Sequence, residues 1–159
     1  MTQELSLVEY QPSLIHEGQF ISWFGDLIRT NTVGEIFFYP PLSMVEFFKF
    51  FSPPNRCIYS YDLPNQKMLV VAWWELVGPN GAWMSLWSDP SIRKRKAGII
   101  ALEEIFNYAF IHFDVVLGAV KNEKILAEHQ RLGYTILGKV PHLFSGTGAW
   151  GIYLTREAW

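Results

Sequence analysis

The sequence predicts a mixed α/β domain with a largely antiparallel sheet and one strand–helix–strand crossover in its second half. Three observations lead there. Residues 56–88 hold three consecutive strand-like runs joined by Pro/Asn/Gly connectors. Residues 98–132 switch to helical periodicity on either side of a short apolar run, and two more strand-like runs follow. The length, 159 residues, fits a single domain over residues 1–159, and a chain of this size buries roughly 70% of its unfolded surface.

Taken in order, residues 5–10 form a short first strand, where Leu5, Leu7 and Glu9 alternate with Ser6, Val8 and Tyr10 until Pro12 stops it. A helix opens at Ser13 or His16 and runs to about residue 30, with Phe20, Trp23, Phe24, Leu27 and Ile28 on one stripe. Phe37, Phe38 and Tyr39 then precede Pro40 and Pro41. A second short helix over 42–51 carries Met44, Val45, Phe47, Phe48, Phe50 and Phe51, and Pro53 and Pro54 end it. A helix that is apolar nearly all round is buried or covers something.

Residues 56–62, 67–77 and 82–88 read as an antiparallel meander around the connectors 63–66 and 78–81. Residues 98–110 place Ile99, Leu102, Ile105, Phe106, Ala109 and Phe110 on one helical face, opposite Glu103, Glu104 and Asn107. Residues 115–120 read as a buried strand. Residues 122–132 form another helix, with Asn122 as N-cap and Gly133 as its stop. Strands over 134–140 and 150–155 close the chain around a turn at 145–148.

Composition excludes several classes. Half the residues are apolar and 16% aromatic, while 18% are charged against a typical ~25%, so the chain is not intrinsically disordered. The formal net charge of −2 argues against a nucleic-acid partner, since the basic run Arg93–Lys96 stands alone. The longest fully apolar run, residues 68–74, has seven members, short of the ~20 a membrane-spanning helix needs. One cysteine, Cys57, rules out an internal disulfide or a cysteine-based zinc site, and no metal is expected. Residues 1–4 offer no basic region ahead of an apolar stretch, so a cytoplasmic protein is expected.

Two segments carry chemistry. In the first, a strand ends at Leu86, Trp87 and Ser88, and a short loop with Arg93, Lys94, Arg95 and Lys96 leads through Ala97 to Gly98 at a helix start. A helix N-terminus has unpaired N–H groups and partial positive charge, so it favours a phosphate. The cations strengthen this, and a residue without Cβ lets a phosphate approach the backbone. A solvated basic loop fits the same residues equally well. In the second segment, Asn122 and His129 are seven residues apart, two helical turns, on one helix face. His129 there serves either as a proton donor near neutral pH or as a hydrogen-bonded core residue on the stripe of Ile125 and Leu132.

Residues 83–134 resemble the GCN5-related N-acetyltransferase (GNAT) superfamily. Its motif V-D-P-x-x-R-x-x-G-x-G/A overlays Ser88 to Gly98 without a gap. The motif N-x-x-A-x-x-x-Y-x-x-x-G-F overlays Asn122 to Tyr134 with identical spacing. Lys96 stands where the first loop glycine is usual, His129 where a tyrosine is frequent and Ile125 where an alanine is usual. The element order is similar too. The resemblance implies a mostly antiparallel, twisted sheet with helices on both faces. It also implies acetyl-CoA as co-substrate and direct acetyl transfer to a primary amine of a small molecule or protein. Leu86, Trp87 and Ser88 would pair with the pantetheine, and Arg93, Lys94, Arg95, Lys96, Ala97 and Gly98 would hold the diphosphate, with Asn122 beside them. His129 would serve as acid toward the departing thiolate.

Glu75 is the best strand carboxylate for the base that the amine needs, or else an outward residue on a half-solvated strand. The segment Phe37 to Phe51 falls where GNAT proteins build one acceptor wall. It is expected to be mostly core, with a minority facing a cleft, a second copy of the chain or a protein partner. The departures at Lys96 and His129, with the aromatic excess, support an alternative: a GNAT-like binding or structural protein without catalysis. Such proteins include phage-encoded virion components, and a phage origin would place the chain in host cytoplasm or virion.

Overall fold

Turn chemistry and two-residue alternation build the sheet, and helical stripes supply its two covers. The computed structural model describes residues 6–10, 16–37, 39–52, 56–63, 66–92, 95–144 and 147–159. In chain order the elements are β1 (Ser6–Tyr10), α1 (Glu17–Arg29), α2 (Val33–Ile36), α3 (Met44–Phe51), β2 (Arg56–Leu63) and β3 (Gln66–Leu76). They continue with β4 (Gly81–Ser88), α4 (Lys96–His112), β5 (Val115–Val120), α5 (Glu123–Arg131), β6 (Thr135–Phe144) and β7 (Thr147–Thr155). Seven strands form one sheet in the order β1-β2-β3-β4-β5-β7-β6. Every neighbouring pair is antiparallel except β4 and β5, which α4 joins as a parallel crossover.

Helices cover both faces, as the fold class requires. On one face Phe20, Trp23, Leu27, Phe37, Phe47 and Phe51 of α1–α3 and their connections pack on Val71, Trp73 and Trp87. On the other, Ala101, Ile105 and Phe106 of α4 and Leu126 of α5 pack on Val70, Ala72, Trp74 and Val116. β3 lies between the two layers, and residues 68–74 are at most 4% exposed. That explains an unbroken apolar run in an antiparallel sheet, because a strand covered on both sides needs no polar face.

Several boundaries differ from the sequence reading, each for a local reason. α2 forms where no helix was expected, since four residues are too few to show a period. The second short helix starts at Met44, not at 42. Ser43 Oγ accepts the Glu46 N–H (3.3 Å), and Glu46 Oε2 accepts the Leu42 N–H (2.6 Å), so this reciprocal cap fixes the start. α4 begins at Lys96, and Ala101 takes the buried place expected of Ile99, which is exposed. β6 and β7 each run closer to the hairpin tip than expected, and residues 145 and 146 lie outside the described residues. So do Leu5, Pro12 and Ser13, while α1 starts with His16 as its N-cap. Gly133 does end α5: its φ is +96°, and a Cβ there would stand 3.0 Å from the Ala158 carbonyl oxygen.

A buried polar pair locks β1 to the β2–β3 hairpin. The Tyr10 hydroxyl donates to Asp62 Oδ2, and Asp62 Oδ1 accepts the Met68 N–H at 2.8 Å. Met68 has a φ of +53°, a left-handed conformation held by this bond. Burial, and then the bond to and charge of Asp62, push the Tyr10 phenol well above its ordinary range. Burial alone does the same to Tyr134. A folded-state pKa above the unfolded one gives stability that is complete below the unfolded value of about 10 and declines above it. The melting temperature is therefore expected to be flat in this respect up to about pH 9.5. Beyond pH 10 it falls, as stability drops by at most about 1.4 kcal/mol per pH unit for each phenol. In a melting series, Tyr10→Phe combined with Tyr134→Phe should flatten this alkaline limb; an unchanged limb would refute the assignment.

Candidate functional site: the parted strands

β4 and β5 pair at their beginnings and then separate. Their register holds Gly81 with Val115, Ala82 with Val116 and Trp83 with Leu117, and goes no further. Past that row β4 stays on β3 as far as Ser88 with Val70. β5 stays on β7 as far as Val120 with Trp150. Among the described residues, no register joins residues 85–87 of β4 to residues 119 and 120 of β5. In open α/β sheets, ligands settle in such a crevice at the carboxyl ends of parallel strands.

The loop leaving β4 is built by its own hydrogen bonds. The Asp89 N–H donates to the Leu69 carbonyl (2.8 Å), and Asp89 Oδ1 accepts the Ser91 N–H (2.8 Å). The Arg95 N–H donates to the Ile92 carbonyl at 3.1 Å. Arg95 is the N-cap of α4 in extended conformation and gives no side-chain cap. The N–H groups of Lys96, Ala97 and Gly98 find no acceptor among the described residues. Arg95 and Lys96 are exposed. Arg93 and Lys94 lie outside the described residues.

Gly98 is constrained from inside the chain. A Cβ at this position would sit 2.6 Å from the Ile92 carbonyl oxygen. The residue is small because the incoming loop folds back over the first turn of α4.

The remaining site residues divide between two levels. Asn122, at the open end of β5, is exposed; its Oδ1 accepts the Lys124 N–H at 2.8 Å and caps α5. His129 lies about 10 Å farther along α5 at 1.5 Å per residue. α5 runs back along β5, so His129 is level with about Leu117, where the strands begin to part. Its Nδ1 bonds the Ile125 carbonyl at 2.8 Å, and its ring meets Tyr134 edge-on at 5.0 Å. A carbonyl only accepts, so Nδ1 carries the proton and Nε2 of the neutral ring is an acceptor. The apolar stripe expected through Ile125 and Leu132 is not core: both are exposed, and Leu126 is the buried residue of α5.

Glu75 pairs in register with Trp83, so it also stands level with the row at which the strands part. It is half-buried and by strand alternation shares the α1–α3 face with Trp73 and Val71. Glu75 and His129 thus occupy one level on opposite faces of the sheet. Leu86 and Ser88 are half-buried beside the gap. Trp87 is buried, and its Nε1 donates to Thr32 Oγ1 at 3.1 Å. Phe37, Phe47 and Phe51 are core residues, whereas Tyr39, Leu42 and Val45 are exposed on the same segment.

One residue at the gap escaped the sequence reading altogether. Lys121, directly after β5, donates from Nζ to the Gly34 carbonyl of α2. A lone lysine behind a buried strand gives no periodic signal that could single it out. Among the described residues, no three His, Cys, Asp or Glu side chains gather as a cation site would need, and no helix is long and apolar enough to cross a membrane.

No family model and no curated relative matches the sequence. Solved structures do match its shape. The chain is similar to a spermidine N-acetyltransferase from Vibrio cholerae, solved with CoA and spermine, with a TM-score of 0.75 and 12% identity, covering 99% of this chain and 98% of that one. It is similar also to a GCN5-related N-acetyltransferase from Kribbella flavida, with a TM-score of 0.66 and 18% identity, covering 94% and 97%. The fold is that of the GNAT acetyltransferases.

Proposed function

From a chain with the acetyltransferase fold, we propose an acetyl-CoA-dependent N-acetyltransferase that passes the acetyl group directly to a primary amine of a small molecule or protein. One observation carries the reading: β4 and β5 part immediately beside an uncapped helix start. Bound in that gap, acetyl-CoA supplies an activated thioester. The residues present fit such a ligand. Backbone groups of Leu86, Trp87 and Ser88 on the gap side offer sheet-like hydrogen bonds to an amide-bearing arm. The N–H groups of Lys96, Ala97 and Gly98 offer donors for a diphosphate, and the ammonium of Lys96 with the guanidinium of Arg95 add charge. Asn122 supports this edge by capping α5.

Proton handling falls to the level at which the strands part. Glu75 accepts the proton that the attacking amine must lose. His129, with Nδ1 committed to Ile125, donates from Nε2 in its charged form and is the proton source for the departing thiolate. Neither step needs a covalent enzyme intermediate.

The test is a melting and calorimetric titration with acetyl-CoA. At a hundredfold excess over its dissociation constant a ligand stabilises by about 2.7 kcal/mol, which for a domain of this size raises Tm by about 5–11 °C. Lys96→Glu should weaken binding at least tenfold and leave the free protein's Tm within about 2 °C. α4 has no acidic residue in its first turn, and an added one suits the helix dipole. Absence of any shift for the unmodified protein at millimolar acetyl-CoA would sink the proposal and leave the reading as a binding protein.

A further inference from the structure

We propose that Lys121 is a positioning residue: its ammonium straps α2 across the mouth of the parted strands and so sets the acceptor side of the cleft. The inference rests on the acetyltransferase reading only for the use made of the cleft; the strap itself stands on the geometry.

α2 is held at two places that belong to different strands. At its start, Thr32 Oγ1 accepts the Trp87 indole N–H at 3.1 Å, and this bond is buried. Val33 and Ile36 pack with the same aromatic layer as Trp87. That fixes α2 to β4. At Gly34, the carbonyl accepts from Lys121 Nζ, and Lys121 follows Val120, the last residue of β5. α2 therefore touches both sides of a gap in which, among the described residues, β4 and β5 have no register partners beyond Trp83 and Leu117.

The bond falls where α2 has a carbonyl to offer. A four-residue helix closes little of its own ladder: the Phe37 N–H returns to the Val33 carbonyl at 3.3 Å, and the Gly34 carbonyl is among those that follow. A cation at a helix C-terminus also meets its favourable end. Lysine suits the task, because a flexible four-carbon stem spans the distance and three donors tolerate small shifts of the partner. Gly34 itself is open on its Cβ side, with nothing within 4 Å. α4 and α5 lie on the opposite face, which makes α2 the element above the gap on the α1–α3 face.

Backbone amide exchange and acetyl-CoA calorimetry on the full chain test this with Lys121→Met and Lys121→Arg. Met keeps the apolar stem and loses the donor; Arg keeps charge and donors. In the free protein, Lys121→Met should speed exchange over residues 33–37 at least tenfold, with residues 70–74 of β3 unchanged within twofold. Lys121→Arg should return residues 33–37 to within threefold of the original. Acetyl-CoA affinity should stay within twofold in both, because Lys121 Nζ is committed to α2 on the α1–α3 face, whereas α4 packs on the other. Unchanged exchange at 33–37 in Lys121→Met, or acceleration throughout the chain, overturns the proposal. A tenfold loss of acetyl-CoA affinity overturns it too, since Lys121 would then be a ligand-binding group. If the unmodified protein fails to bind acetyl-CoA, the transferase reading falls, while the exchange result still decides the strap.

Discussion

Phe47→Ala is expected to destabilise the protein by about 3–5 kcal/mol, the cost of truncating a buried aromatic to a methyl group. Phe47 is fully buried. Its ring lies 4.7–6.1 Å, centroid to centroid, from those of Phe20, Trp23, Phe24, Phe37 and Phe51. These partners come from α1, from α3 and from the segment between them, so one truncation loosens contacts among all three. They are large and mutually wedged, which limits how far they can collapse into the space left behind. For a domain of this size the loss corresponds to a Tm lower by about 6–20 °C. Urea unfolding should show a lower midpoint at constant slope. A loss under 1 kcal/mol would mean that this layer is far less tightly packed than the ring geometry indicates.

Gly98→Ala should destabilise by about 1–3 kcal/mol, an overpacking cost, although alanine is ordinarily the better helix residue by about 0.5–1 kcal/mol. The reversal of sign comes from one contact. The added Cβ would lie 2.6 Å from the Ile92 carbonyl oxygen, a backbone atom that also accepts the Arg95 N–H. Relief requires the loop to lift from the start of α4, which disturbs the donors offered to a diphosphate. Acetyl-CoA affinity should fall at least tenfold together with stability. Gly25→Ala in α1 is the internal control: nothing stands within 4 Å of its Cβ position, and the substitution should stabilise slightly. Equal effects at the two glycines, read by chemical unfolding, would contradict the assignment.

What the sequence made legible follows from where its signals were local. The meander of β2, β3 and β4 could be read because its connectors carry turn chemistry. α5 could be read because Asn122 caps it and Gly133, at positive φ, stops it. The crossover from β4 through α4 to β5 followed from a change of period. α2 and the strap from Lys121 to Gly34 left no such trace, since a four-residue helix has no period and the bond joins residues 87 positions apart. The buried pair of Tyr10 and Asp62, 52 positions apart, was hidden for the same reason. Gly98 shows a subtler limit. Its smallness is visible in the sequence, but the Ile92 carbonyl that folds back onto it depends on the path of a loop that the residue types do not dictate. On α5, the stripe of Ile125 and Leu132 lies one position off the side that faces the sheet, so both are exposed and Leu126 is buried.

The double cover of β3 has a mechanical corollary. Residues 68–74 are shielded by the α1–α3 layer on one side and by α4 with its neighbours on the other. Peeling off the α1–α3 layer would wet Met68, Val71 and Trp73, and peeling off the other would wet Leu69, Val70, Ala72 and Trp74, so each loss strips one face of the same strand. A push on the aromatic layer is felt through a single strand's thickness by the helix that starts at Lys96. Both walls of the cleft lean on that one strand.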